Sequence, residues 1–333
     1  MHPIVKYVVQ RFLRMLLTIW IGLTLVFIVS RLMPFNPADI LVARILALGT
    51  RLRAEEIEAM RNTIYSLFGL GKPIYIQYFE FLYRYLVGDM GPSFTYFPTK
   101  VSEVIAVALP YTIFLLLLAS ITSWVIGNVI GVVAALSRRE RLSRAVEYTI
   151  LSIQPIPFAV FALAYLIFYV LVLRLSIPAG EVLYGKPFWY IIRSMFQRSL
   201  PPLTAMLIWN WMGNFLSMKS LAIKLKNEDF IDYAKLRGAS RLVIVQYVAR
   251  NAIVPQFTYL LLGLGMMFTG NALVEYLFSY PGIGILFVTS IVNADYNLML
   301  GIAYMSIVGV AIAAFLLDII YPLIDPRIRY PGQ

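Results

Sequence analysis

The chain has 333 residues, of which 60% are hydrophobic and only 14% charged, and its net charge is +11. That is more apolar surface than a soluble domain of this length buries, and the mean hydropathy of +0.79 agrees. There is no cysteine and the one histidine is His2, which excludes disulfides, thiolate nucleophiles and cysteine-held metals and leaves histidine catalysis almost no footing. The positive charge fits membrane orientation and anionic headgroups better than nucleic acid.

The first run of membrane-crossing length extends from Met15 to Met33. It lacks a small-residue cleavage site and is longer than a signal-peptide core, so it is expected to persist as a helix. Further spans are expected at Leu109–Leu136, Tyr148–Leu173, Leu203–Ile223, Ala252–Tyr276 and Leu298–Ile324. Each is near the 20 or so residues that cross the hydrocarbon. Six spans place both termini on one side. The short loop Ser137–Arg144, with Arg138, Arg139, Arg141 and Arg144, marks that side as cytoplasmic.

Between the first two spans lies a long outer segment. Ala54–Phe68 opens with Glu55, Glu56 and Glu58, which suits a helix N-terminus. Tyr75–Leu86 carries an aromatic stripe expected of an interfacial helix. A small folded cap is expected here. The second outer segment, Ser176–Ser199, is also aromatic and is expected on the membrane surface.

Between the fourth and fifth spans, Glu228–Pro255 is a charged island with helical patterning. Phe230, Tyr233, Ala234 and Arg237 recur at helical spacing and share one face. Gly238 follows where a helix ends, since glycine accepts a left-handed cap. A second helical run places Leu242, Val245, Gln246 and Ala249 on one stripe, closes at Asn251, and leaves Pro255 to open the next apolar run. The island is too polar for lipid and too patterned for a bare linker. It reads as a handle gripped by another protein, or as an ordinary solvated amphipathic loop.

Polar residues inside spans are costly in lipid. Gln154, Asn210, Asn214, Gln256, Asn271 and Glu275 either face an aqueous path or bond neighbouring helices. Pro155 and Pro157 beside Gln154 predict a broken third span. Glu275, near the outer end of span five, is expected to snorkel to water, and Asp318 to pair with a neighbour. Pro281–Gly284 reads as a rigid turn.

Six patches in order carry a resemblance. They are RLMPFNPA at Arg31–Ala38, GKPIYIQYFEFLYRYLVGDMGPSF at Gly71–Phe94, DFIDYAKLRGAS at Asp229–Ser240, RNAIVP at Arg250–Pro255, FSYPGIG at Phe278–Gly284 and DPRIR at Asp325–Arg329. Together they resemble the first permease subunit of the dipeptide, oligopeptide and nickel class of binding-protein-dependent ABC importers. Phe35 and Asn36 depart from the family's usual Gly and Asp. Asp232 and Leu236 depart from residues usually basic and small.

The resemblance implies an all-α, type I importer permease in a prokaryotic inner membrane. Residues 1–33 would hold the N-terminus and first helix, 34–104 an extracytoplasmic insertion, 105–324 a five-helix core with its cytoplasmic loop at 224–251, and 325–333 a cytoplasmic tail. It implies a second homologous permease, two cytoplasmic ATPases holding ATP and Mg, and an extracytoplasmic binding protein. This chain itself binds no cofactor or metal and no nucleic acid, and has no catalytic residues. It carries no P-loop sequence, so energy must come from elsewhere. Asp229, Phe230, Tyr233, Ala234, Lys235, Arg237 and Gly238 would couple to an ATPase, with Tyr233 and Ala234 in its groove. Gln154, Asn210, Asn214, Gln256 and Asn271 are the candidates to line the path. Short peptides are the favoured cargo, with oligosaccharides and nickel chelates as alternatives. A secondary transporter or channel is the competing class, but no dense acidic cluster or filter motif is visible.

Overall fold

The computed structural model describes residues 3–32, 53–67, 71–176, 188–265, 267 and 270–324, together with positions 39, 42, 43 and 46. The Arg31–Ala38 patch beyond Leu32, the Asp325–Arg329 patch with the tail, and 177–187 of the second outer segment lie outside the described residues. Apart from an isolated bridge between Pro92 and Lys100, the regular structure among them is helical.

Helix α1, Pro3–Leu32, packs along α12, Tyr296–Ile324. Gly22 is the point of close approach, for a Cβ there would stand 2.8 Å from Ile307 Cγ2. Phe12 meets Phe315 edge to face at 5.9 Å, and Arg11 pairs with Asp318 at 3.0 Å. Asp318 therefore has the partner its position in an apolar run demanded.

The outer segment contains α2, Ala54–Leu67, and α3, Ile74–Leu86. Glu56 of α2 accepts the Arg53 amide at 2.8 Å, which holds an otherwise orphaned helix-start donor. The aromatic stripe of α3 splits between two faces. Tyr78 and Phe81 pack on Phe27 of α1, and Tyr85 on Tyr304 of α12. Tyr75, Phe79, Tyr83 and Leu86 stay exposed. The following loop is fastened by Asp295, wholly buried, which accepts from Ser93 Oγ at 2.5 Å, Thr95 N at 2.8 Å and Leu298 N at 3.1 Å.

Helix α4, Val101–Ala135, lies against α7, Phe188–Lys226, along much of both. In lipid there is no hydrophobic drive to associate, so close backbone packing must supply the attraction. Gly127 and Gly131 supply it: a Cβ on Gly127 would fall 2.5 Å from Asn214 Cβ and 2.6 Å from Trp211 O. On Gly131 it would fall 2.9 Å from both Met218 Cβ and Phe215 O.

The third expected span is a pair of helices, α5 at Glu140–Ile153 and α6 at Phe158–Ile167, the latter continued by a π-turn at Phe168–Val172. They bend by 97° at the Gln154–Pro157 break. The prolines act as expected, but the result is a corner rather than a kinked rod. The Ser176–Ser199 expectation is corrected from Phe188 onward, since these residues form the first turns of α7 and run unbroken through Pro201 and Pro202. Arg198 and Ser199 are buried there, and Ser199 Oγ lies 2.9 Å from Tyr280 OH. These two join the bundle, while Trp189, Tyr190 and Phe196 in the same turns stay exposed.

Two more boundaries shift. The helix after Gly238 does not close at Asn251; α9 runs from Arg241 to Gly265 through Pro255. Conversely, the fifth span does not reach Tyr276 as one helix. Helix α9 is described to Gly265, and a separate short α10, Ala272–Leu277, precedes α11, Ile283–Val292. Among the described residues three helices are long and apolar enough to cross a membrane, Val5–Leu32, Val101–Ala135 and Tyr296–Ile320, and the α5–α6 pair makes a fourth if counted as one span.

Candidate functional site

The first part of the charged island folds as α8, Asp229–Leu236. Only Asn227 and Glu228 separate it from α7, and residues 237–240 separate it from α9. Its sequence complements the helix dipole, with Asp229 and Asp232 in the first turn and Lys235 in the last. Lys235 Nζ also meets Asp232 Oδ1 at 2.7 Å.

Gly238 ends the helix as its position demands, with φ of +76°. Gly238 N donates to Lys235 O at 2.9 Å and Ala239 N to Ala234 O at 3.0 Å. That pair of bonds is a Schellman closure, and it satisfies carbonyls a helix end otherwise leaves unpaired.

The two faces of α8 have different duties. Ile231, 0% exposed, and Ala234, 9%, pack into a cluster with Ala135 of α4, Ala222 of α7, and Ile244 and Val248 of α9. Arg241 Nη2 ties the same corner to Leu136 O at 2.7 Å. Tyr233 is 68% exposed and Leu236 83%, with Phe230 also open. The expected outward role of Ala234 is therefore corrected. Its small side chain lets α8 sit close on three helix ends, and the outward apolar face is Phe230, Tyr233 and Leu236. Periodicity could not separate these faces, because Ile231 and Leu236 are both apolar and only packing distinguishes them. Asp229 and Arg237 lie exposed at the two ends.

A second feature lies within the bundle. An open cleft of 290 Å³ between α4, α7 and α9 is bordered by Ser120, Ser123, Trp124, Asn210, Asn214 and Tyr259. Asn214 Nδ2 donates to Asn210 O at 3.2 Å. Gln256 is buried beside the cleft, its Nε2 donating to Ser217 Oγ at 2.8 Å while its backbone carbonyl accepts Trp124 Nε1 at 2.9 Å. Of the five expected path residues, the structure thus gathers Asn210 and Asn214, with Gln256 behind them. Gln154 is exposed at the α5–α6 corner, and Asn271 caps α10 by accepting Val274 N at 3.3 Å. Neither borders the cleft.

Glu275 does not snorkel. It is 0% exposed and accepts from Thr112 Oγ1 at 2.8 Å, Gly284 N at 2.5 Å and Ile285 N at 3.3 Å. Thr112 Oγ1 in turn accepts Ile283 N at 2.8 Å. The first three amides of α11 are thus capped by side chains from α10 and α4. A Cβ at Gly282 would stand 2.3 Å from Glu275 Oε2, so the Pro281–Gly284 turn is shaped around this carboxylate. Among the described residues, no three His, Cys, Asp or Glu side chains gather as metal ligands.

The described residues thus form a helical membrane bundle with a polar cleft and a short amphipathic helix braced on its helix ends, an architecture that suits a transport permease. Residues 127–330 match the family model described as the inner membrane component of binding-protein-dependent transport systems, and the chain belongs to that family. The oligopeptide transport system permease protein OppB of Haemophilus influenzae is 32% identical over 98% of this chain and 99% of its own length. The oligopeptide transport system permease protein AppB of Bacillus subtilis is 28% identical over 97% and 99%. OppB of Escherichia coli is 27% identical over 98% and 99%.

Proposed function

We propose that this chain forms half of the translocation path of an ATP-driven importer of short peptides, with α8 as the helix through which an ATPase moves it. The observation that carries the coupling role is the division of α8, with Ile231 and Ala234 locked onto α4, α7 and α9 while Phe230, Tyr233 and Leu236 stand bare. A displaced α8 must take three helix ends with it. The peptide cargo is supported by the names of the relatives. Oligosaccharides and nickel chelates are the alternatives, and the retained ligand of the binding protein decides between them.

The assembly needs a second homologous permease to close the path, two ATPases that bind ATP and Mg, and an extracytoplasmic binding protein. Six crossings with both termini in the cytoplasm put α8 on the ATPase side. The path runs along the interface of the two permeases, and the Asn210–Asn214 cleft is its wall on this side.

Copurification tests the coupling reading. Tyr233→Asp with Leu236→Asp removes two apolar contacts, each worth about 1.5–3 kcal/mol if fully buried. The double variant should lose its ATPases while retaining the second permease. Equal retention of the ATPases would refute the role of α8. Orientation is checked separately by Arg141→Cys, an exposed site in a cysteine-free chain. Labelling of sealed cells from outside would reverse the topology.

A further inference from the structure

A groove of 440 Å³ runs along the seam of α1 and α12, away from both the cleft and α8. Its walls are apolar or small, among them Met15, Gly22, Val310, Ala314 and Phe315. One end is basic, formed by Arg11 and Arg14, with Asp318 beside them. Nothing in the transport mechanism uses it.

The groove has the chemistry of one lipid. From Arg14 to Gly22 is eight residues, about 12 Å of helix, all of it within or bordering the first apolar run. The apolar walls accept an acyl chain, and Gly22 closes the far end where α1 and α12 touch. Arg14 lies at the start of that run, at headgroup depth, with its side chain exposed. Arg11 is held in place by Asp318 at 3.0 Å and by the Tyr7 ring 5.1 Å away. Its guanidinium has five N–H donors in a planar fork, more than one carboxylate can use. Asp318 balances one of the two arginines, so the basic end keeps a net positive charge that a phosphate would neutralise. Arginine also suits phosphate better than lysine does, because the fork binds two oxygens at once.

We infer that the α1–α12 groove binds an anionic phospholipid, its phosphate on Arg11 and Arg14 and one acyl chain along Met15–Gly22. On the orientation proposed above it belongs to the cytoplasmic leaflet. The lipid would brace α1, which otherwise meets the bundle mainly through α12.

The test uses the assembled transporter in nanodiscs containing equal phosphatidylglycerol and phosphatidylcholine. Lipid carried through extraction is counted by native mass spectrometry. Arg14→Gln should lower phosphatidylglycerol retention about fivefold, the worth of one cation near the surface, and leave phosphatidylcholine unchanged. Arg14→Lys should keep most of the retention. Ala314→Trp, at an exposed groove position, should lower retention by filling the space while both arginines remain. Unchanged phosphatidylglycerol in both Arg14→Gln and Ala314→Trp would overturn the site. So would equal loss of both lipids in Arg14→Gln, which would make the groove an unselective annular contact. Loss of bound lipid on adding inorganic phosphate alone would show an anion site rather than a lipid site, and would also overturn it.

Discussion

Replacing Gly238 by valine should uncouple ATP hydrolysis from uptake without dissolving the bundle. At φ of +76° the backbone is left-handed, and an added Cβ would meet nothing within 4 Å. The penalty is therefore conformational rather than steric crowding, about 1–2 kcal/mol for a residue with a Cβ. Against it stands the seat of α8, where burial of Ile231 contributes about 1.5–3 kcal/mol. The helix should stay attached through Ile231, while the Schellman bonds at Gly238 and Ala239 yield and the last turn, with Leu236 and Arg237, swings out of register. A cost of that size shifts the seated fraction by about 5–30-fold. The assay is substrate-stimulated ATPase activity and uptake in reconstituted vesicles, with complex integrity followed by size exclusion. Asparagine tolerates left-handed backbone, so Gly238→Asn should fall between parent and valine. Parental coupling in Gly238→Val with the complex intact would refute the reasoning. Equal damage from asparagine and valine would also refute it, because backbone conformation would not then be the cause.

Three further outcomes follow from the packing. Gly127→Leu should force α4 and α7 apart at a cost of about 1–3 kcal/mol, seen as a lower melting midpoint and lost uptake, whereas Gly213→Ala, with nothing within 4 Å of its Cβ, should keep the parental midpoint. Glu275→Gln should destabilise by about 1–3 kcal/mol, since its amide nitrogen turns a donor toward donors; an unchanged thermal midpoint would deny the capping role. Partial burial pushes the Asp89 carboxyl up, but the Gly91 amide and the Arg84 guanidinium hold it below its ordinary value. Its contribution is therefore present above about pH 4 and lost as pH falls below that; peptic cleavage near Gly91 should rise below that pH, and Asp89→Asn should remove the step.

Local rules with strong side-chain chemistry were readable in advance. The acidic start of α2, the corner at Pro155 and Pro157, the cap at Gly238 and the partner of Asp318 each depend on residues close in sequence or on an unavoidable electrostatic demand. The misread positions depend on distant neighbours. Pro255 suggested the start of a new run, yet α9 runs through it, because a packed bundle resupplies what a proline removes. Gly127 and Gly131 matter only because Trp211 and Phe215 lie opposite them, and that pairing is set by the fold. Glu275 looked like a residue reaching for water because its three donors come from α4 and from Gly284 and Ile285 at the start of α11. Asn210 and Asn214, four apart on one helix, shared a face by periodicity alone, whereas Gln154 and Asn271 were drawn away by a corner and a cap.

The two faces of α8 make docking specificity and architecture separately mutable. On the coupling role proposed above, Phe230, Tyr233 and Leu236 can be exchanged for those of another permease without disturbing Ile231, Ala234 or Gly238. A paralogous ATPase could then be recruited by grafting three side chains, with no helix moved. Duplicated transporters have the same route open to them: drift on the outer face changes the engine, while the inner face keeps the lever attached to the same three helices.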